Sequence, residues 1–167
     1  MKPRTGWVVA LAAAVVMPLA TAQMISLGDA GASSARKGHL VLLSDDVTVA
    51  AGKADVVELR FRIDEGYHIN SHTPKNVLLI PTALKLDAAH GVTVLGEEYP
   101  AGRPFQVGKG KDSMSLEVYQ GEFRVRVKLL AVRGGQTLTG VLRYQACDDA
   151  SCFPPKSIPI RVAVNAR

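Results

Sequence analysis

Apolar and polar residues alternate along most of the chain after about residue 38. In residues 54–64 every second side chain from Val57 to Ile63 is apolar, and the same period of two recurs over residues 122–132. This period is typical of strands with one buried face, the usual arrangement in antiparallel sheets. We predict strands over residues 54–64, 82–86, 92–99, 115–119, 122–132, 137–144 and 157–164, and two short apolar runs within residues 39–52.

Turn-forming residues separate these segments, and no stretch after residue 22 keeps a helical period beyond two turns. The pattern predicts an all-β, immunoglobulin-like β-sandwich over residues 38–167. Residues 66–84 and 99–113 carry prolines and glycines and are predicted to be loops, the first with a short extended start. Loops on a rigid sandwich commonly carry functional groups.

The first 22 residues have the pattern of a secretory signal peptide. Lys2 and Arg4 precede an apolar run that is followed by small residues. That run is about 13 residues long, too short to span a hydrocarbon core of about 30 Å. We therefore expect export to the periplasm with cleavage before Gln23, no stable membrane anchor after cleavage, and a flexible lead-in over residues 23–37.

The charge pattern argues against some classes of partner. The chain has 20 Lys and Arg against 15 Asp and Glu, and the signal peptide removes two of the basic residues, which leaves 18 − 15 = +3. These charges are scattered rather than clustered, so neither nucleic acid nor an anionic membrane surface is an expected partner.

The only two cysteines, Cys147 and Cys152, lie in the segment YQACDDASCFPP. In an oxidising compartment such a pair usually forms a disulfide, and this spacing can close one across the mouth of a tight loop joining two strands. Three interpretations of this pair remain open: a structural cross-link, a redox pair and a metal site. Closing so short a loop stabilises a fold by only about 2 kcal/mol. Asp148 and Asp149 disfavour a thiolate, so a redox-active pair would be a good electron donor.

The histidines give little support for a metal site. His68 and His72 would lie about 13 Å apart on a strand, too far to share one ion. We expect them to be loop or surface residues, and we predict no metal and no cofactor.

Three segments resemble the N-terminal periplasmic domain of the thiol:disulfide interchange protein DsbD. They are YQACDDASCFPP, GYHINSHTP and EVYQGEFRVRVKL, and the resemblance covers about residues 38–164. It implies an immunoglobulin-like sandwich in which Cys147 forms the mixed disulfide with a partner and Cys152 resolves it. It also implies an aromatic cap over the disulfide, best matched by Phe105 in the loop Arg103-Pro104-Phe105. Around the pair we expect a docking surface for the partner, with Tyr67, His68, Tyr144, Phe153 and Pro154 as its candidate residues. A neutral His68 could also accept a proton.

The resemblance implies a thiol–disulfide interchange domain that carries electrons. Its partners would be a separate membrane electron donor and periplasmic thiol–disulfide proteins, such as a disulfide isomerase or a thioredoxin-like cytochrome c maturation factor. The chain departs from the family's pattern in having one residue fewer between its cysteines, and His68 and Asn70 where tyrosines are expected. Because the sequence ends at Arg167, we expect the membrane and thioredoxin-like domains of longer members to be absent.

Two alternatives to the carrier remain. The first is a non-catalytic periplasmic binding sandwich with a structural disulfide. The second is a metal-handling domain that uses both cysteines and a histidine.

Overall fold

The computed structural model describes residues 38–87, 89–108 and 110–167, so the predicted signal peptide and lead-in lie outside the described residues. Within these ranges the chain forms twelve strands and one 3₁₀ turn at Gly110–Asp112. The strands are β1 (Leu40–Leu42), β2 (Asp46–Val49), β3 (Ala54–Ile63), β4 (His68–Asn70), β5 (Ala83–Leu86), β6 (Val92–Glu98), β7 (Arg103–Val107), β8 (Met114–Tyr119), β9 (Glu122–Ala131), β10 (Gly134–Tyr144), β11 (Ala146–Cys147) and β12 (Lys156–Ala166). In the part of the chain described, no helix is long and apolar enough to cross a membrane.

The strands form three four-stranded sheets. The first has the order β1-β3-β9-β6, the second β2-β12-β10-β5 and the third β11-β4-β8-β7. β2 runs parallel to β12, whereas the long central pairs β3–β9 and β10–β12 are antiparallel. These long pairs form the centres of the first two sheets.

The alternation in the sequence becomes the two faces of these sheets. In β3 the side chains of Leu59 and Phe61 are fully buried, while Glu58 and Arg60, on either side of Leu59, are exposed. The register of β3 with β9 places Phe61 opposite Phe123, and their rings stack with centroids 5.1 Å apart. Burying each such side chain contributes on the order of 1.5–3 kcal/mol.

The first two sheets share one core. Buried side chains of β3 and β9 pack in a single cluster with those of β10 and β12, including Leu138, Leu142, Val162 and Val164. This arrangement confirms the predicted all-β, immunoglobulin-like sandwich. The predicted strands agree with the observed ones to within three residues at each end, because a strand buried on one face carries its period in the sequence.

Residues 103–107 were predicted wrongly. The segment Arg103-Pro104-Phe105 belongs to β7 and is not a loop. β7 lies at the edge of the third sheet. A proline is tolerated in an edge strand because no neighbouring strand on the open side needs the backbone N–H that proline lacks. Residues 68–70, the expected short extended start of the other predicted loop, form β4.

The cysteines lie where the chain crosses from β10 to β12. The antiparallel register of this pair ends at Tyr144 opposite Lys156. Between these residues the chain makes β11, which pairs with β4 in the third sheet. The disulfide loop is therefore anchored to both the second and the third sheet.

Candidate functional site: the disulfide groove

Cys147 and Cys152 form a disulfide, with 3.9 Å between their Cα atoms. The loop between them is closed by a backbone hydrogen bond from Asp148 N to Ser151 O at 3.0 Å. Phe153 N donates to Ala146 O at 2.8 Å just outside the cysteines. The pair thus closes a tight loop between two strands, as its spacing predicted.

The two cysteines differ in exposure. Cys147 is only 1% exposed, whereas Cys152 is an exposed residue. A partner that approaches from solvent therefore meets Cys152 before Cys147. This exposure argues against the order implied by the resemblance, in which Cys147 forms the mixed disulfide.

Asp148 organises the loop with its side chain. Its Oδ1 accepts hydrogen bonds from the N–H groups of Ala150, at 2.8 Å, and Ser151, at 2.7 Å. These bonds hold the pKa of the Asp148 carboxyl below that of an ordinary aspartate, because both N–H groups favour the charged form. A negative charge therefore stands directly beside Cys147 at neutral pH.

Gln145 also supports the loop, although nothing in its sequence context predicted this. Its Nε2 donates to Phe153 O at 3.1 Å, and its Oε1 accepts from Asn70 Nδ2 at 3.5 Å. Asn70 Nδ2 also donates to Ile80 O at 3.0 Å. The amide side chains connect β4 to both sides of the disulfide loop.

A groove of about 300 Å³ lies along the disulfide loop. Both cysteines and the four residues between them form one side of it. The other side is mostly apolar, with Leu79, Val107, Met114 and Leu116. We call this feature the disulfide groove.

His68 lines the same groove but is not the loop or surface residue that was expected. It is only 2% exposed because it belongs to β4, between β11 and β8. In the β4–β11 ladder His68 is directly opposite Cys147. Its Nε2 is buried and has no hydrogen-bond partner among the described residues.

Burial lowers the pKa of the His68 imidazole below its ordinary value, because desolvation disfavours the charged ring. The carboxylates of Asp149 and Asp148 act in the opposite direction and offset part of this effect. The net direction is downward, so His68 is neutral at pH 7.

Phe105 contacts His68. The two rings lie with centroids 4.2 Å apart and planes inclined by 38°. Phe105 is half-buried, opposite Leu116 in the β7–β8 ladder. The predicted cap thus covers the histidine opposite Cys147.

Tyr67, Phe153 and Pro154 lie in a second cluster, separate from the residues that line the disulfide groove. The ring of Tyr67 stacks on His39 with centroids 3.6 Å apart, and Phe153 lies 5.9 Å from Tyr67. Phe153, Pro154 and Tyr144 line a cavity of about 310 Å³. Phe153 is half-buried and Pro154 is exposed, so both are accessible to a partner.

Tyr144 does not belong on a docking surface. It is only 1% exposed, since its position on β10 directs it into the core. Burial also raises the pKa of its hydroxyl. The expectation that Tyr144 contacts a partner is therefore wrong, and Tyr144 instead packs in the core and lines the cavity.

Two exposed apolar side chains near the groove were missed. Val77 is 93% exposed and Leu78 is 85% exposed, and their neighbours Asn76 and Leu79 line the groove. Met114, which also lines the groove, is 49% exposed. The run NVLLIP could have signalled this patch, because apolar residues in a predicted loop have no strand to bury them.

In the described ranges, no group of three or more His, Cys, Asp and Glu side chains gathers to hold a metal ion. His72 is separate from the disulfide groove. Its ring stacks on Tyr99 with centroids 3.7 Å apart, and its Nδ1 lies 2.9 Å from Thr82 O.

The chain from residue 41 to residue 163 matches the family described as "Thiol:disulfide interchange protein DsbD, N-terminal". The chain belongs to this family. The DsbD N-terminal family and the Cys147–Cys152 disulfide together fit a thiol–disulfide interchange carrier domain. The general kind of partner for such a domain is another thiol protein.

The solved structures that are similar to this chain include two periplasmic or DsbD N-terminal domains. The reduced N-terminal domain of DsbD from Neisseria meningitidis is 24% identical, with a TM-score of 0.44, over 70% of this chain and 82% of that one. The N-terminal periplasmic domain of ScsB from Proteus mirabilis is 13% identical, with a TM-score of 0.48, over 73% of this chain and 43% of that one. No curated protein matches the chain. The homologous DsbD domains are periplasmic.

Proposed function

We propose that this DsbD N-terminal-type domain carries reducing equivalents in the periplasm through Cys147 and Cys152. The pair would receive electrons from a separate membrane donor and pass them to a periplasmic disulfide isomerase or a thioredoxin-like cytochrome c maturation factor. A signal peptide over residues 1–22 would deliver the domain there. The observation that carries the proposal is the disulfide groove, in which the family's cysteine pair presents one exposed member, Cys152.

The exposure of Cys152 favours a specific order of steps. In the reduced domain the Cys152 thiolate attacks the partner's disulfide and forms a mixed disulfide, with one partner sulfur leaving as a thiolate. The buried Cys147 then attacks Cys152, which releases the second partner sulfur. The domain ends as a disulfide and the partner as a dithiol, so two electrons have moved.

The neighbouring side chains would support docking and access. Phe105 would limit access to the site from the side of His68. Phe153, Pro154 and Tyr67 in the second cluster, and Val77 and Leu78 beside the disulfide groove, would provide apolar contact with the partner. Apolar side chains around a reactive centre exclude water once a partner is bound.

The reduction potential of the pair tests the proposal. The mature domain would be equilibrated in graded dithiothreitol or glutathione buffers, and free thiols counted by alkylation and mass. We expect a midpoint above about −250 mV, in the range of catalytic pairs. A pair that stays oxidised well below about −300 mV would be a structural cross-link, and the binding sandwich would replace the carrier.

A pair of serine variants tests the order of the cysteines. Reduced Cys147→Ser is expected to form a stable mixed disulfide with a partner or with glutathione, because its exposed Cys152 remains and cannot be resolved. Reduced Cys152→Ser should form far less. The reverse result would restore the order in which Cys147 attacks first.

A further inference from the structure

The unpartnered nitrogen of His68 is a buried titratable group beside the redox pair. Residues directly opposite each other in an antiparallel ladder have Cβ atoms about 4.5–5.5 Å apart and side chains on the same face. His68 and Cys147 have this relationship, and both line the disulfide groove. A buried polar nitrogen without a hydrogen bond is unfavourable, so its presence at this position calls for an explanation.

The resolving step needs a base at this position. Cys147 must lose its thiol proton before it can attack Cys152, because the thiolate is the nucleophile. Burial of Cys147 and the neighbouring carboxylates of Asp148 and Asp149 all disfavour that thiolate. Cys147 would therefore react slowly at pH 7 without a nearby proton acceptor.

We propose that His68 Nε2 accepts the proton of the Cys147 thiol in the step that releases the partner, an inference that rests on the proposed function. The proton moves from Cys147 Sγ to His68 Nε2 while the sulfur's electron pair forms the bond to Cys152 Sγ. The bond between Cys152 Sγ and the partner's sulfur breaks, and its electron pair leaves with that sulfur. The departing thiolate then takes up a proton from water, and His68 returns its proton to solvent.

The charges that face His68 suit this role. From the disulfide loop the groove presents the carboxylates of Asp148 and Asp149. From β7, β8 and the segment before β5, the described groove residues are uncharged: Asn76, Leu79, Val107, Met114 and Leu116, with Phe105 against the ring. The two carboxylates therefore oppose the Cys147 thiolate and stabilise the imidazolium that forms when the proton moves.

Rapid mixing of reduced domain with excess glutathione disulfide tests this role. Acid quenching and mass measurement separate the dithiol, the mixed disulfide with glutathione and the final disulfide. In His68→Gln we expect the mixed disulfide to form at the wild-type rate and then to accumulate, with its resolution slowed about 100-fold near pH 7, the size typical of losing a general base. The difference in resolution rate between the variant and the wild type should narrow as the pH rises well above about 8.5, the ordinary pKa of a thiol, because Cys147 then ionises without a base.

Two further variants make the comparison specific. His90→Gln replaces an exposed histidine and should resolve at the wild-type rate. His68→Phe keeps an aromatic ring against Phe105 but removes both nitrogens, so it should reproduce the slow resolution even if glutamine disturbs the packing.

Three outcomes would decide against the role. Resolution at the wild-type rate in both His68 variants would show that His68 takes no part in this step. A slowing that is the same at every pH would show that His68 acts only through packing. A slow first step with normal resolution would place its effect on Cys152 instead. If the wild-type pair forms no mixed disulfide at all, the proposed function fails, which is a distinct result.

Discussion

The ring of Phe105 lies against the ring of His68, with 4.2 Å between their centroids, and His68 is opposite Cys147 in the β4–β11 ladder. Phe105 on the edge strand β7 is thus separated from the redox pair by one side chain, that of His68. The family resemblance implied an aromatic cap over the disulfide itself. In this chain the aromatic ring covers the histidine beside the buried sulfur.

Replacing Phe105 with alanine should make the disulfide easier to reach. We expect the second-order rate of reduction by dithiothreitol to rise about tenfold, a change of about 1.4 kcal/mol in the barrier, because the ring no longer limits access to the pair from the side of His68. Leu95→Ala, on β6, is the control and should leave the rate unchanged. An unaltered rate in Phe105→Ala would show that this ring does not limit access.

The exposed patch of Val77 and Leu78 predicts a defect specific to protein partners. We expect Val77→Ser and Leu78→Ser each to slow electron transfer to an oxidised periplasmic disulfide isomerase about tenfold, because a few desolvated side chains near the centre of an interface carry most of its binding energy. Reaction with glutathione disulfide should stay normal, since a small molecule does not cover the patch.

Leu95→Ser serves as the control for this patch, since Leu95 is another exposed apolar side chain, at 51%, but lies on the first sheet. Equal slowing with glutathione and with the isomerase would indicate a damaged site rather than weaker docking. Normal transfer to the isomerase in both patch variants would remove these residues from the docking surface.

Asp148→Asn should raise the reduction potential of the pair by about 10–30 mV, where about 30 mV corresponds to a tenfold change in the equilibrium constant. Removing the carboxylate stabilises the thiolate of the reduced form, while asparagine keeps an oxygen to accept from Ala150 and Ser151. Equilibration with glutathione at pH 7 measures the shift. Asp46→Asn, on the distant β2, should not shift the potential, and a fall in potential for Asp148→Asn would contradict the electrostatic explanation.

Asp148 should also make the stability depend on pH in a defined direction. Its pKa is lower in the folded protein than in the unfolded chain, so its contribution is fully present above the unfolded pKa. The contribution is lost as the pH falls through the lower, folded pKa. The difference in melting temperature between the wild type and Asp148→Ala should therefore be seen at neutral pH and should disappear in strong acid.

Gly140 occupies a position in β10 where a side chain has no space. A Cβ at this residue would clash with the Lys85 carbonyl oxygen and approach Leu86 Cα to 2.9 Å on the neighbouring β5. We expect Gly140→Ala to lower the free energy of unfolding by about 1–3 kcal/mol, the range for overpacking. Urea unfolding measures this change.

Gly96→Ala is the matched control for Gly140, because a Cβ on this β6 glycine meets no atom within 4 Å. We expect that variant to unfold within about 0.5 kcal/mol of the wild type, as surface substitutions usually do. If Gly140→Ala is equally stable, β5 must be able to move away from β10.

The sequence determined the sandwich and the cysteine loop because both depend on short-range information. Alternation in segments such as residues 54–64 fixes which face of a strand is buried, whatever its neighbours are. Cys147 and Cys152 are close enough along the chain for their spacing to predict a closed loop. The family motif around them adds the chemistry of the pair.

Only the tertiary structure decided what surrounds that pair. β4, β7 and β11 are too short or too irregular to carry a clear period, and their pairings join residues distant in sequence. Those pairings bury His68, place Cys147 opposite it and bring Phe105 onto its ring, while Val77 and Leu78 remain in solvent beside the groove. Burial and access at this site arise from contacts between strands, and a pattern within any one strand does not contain them.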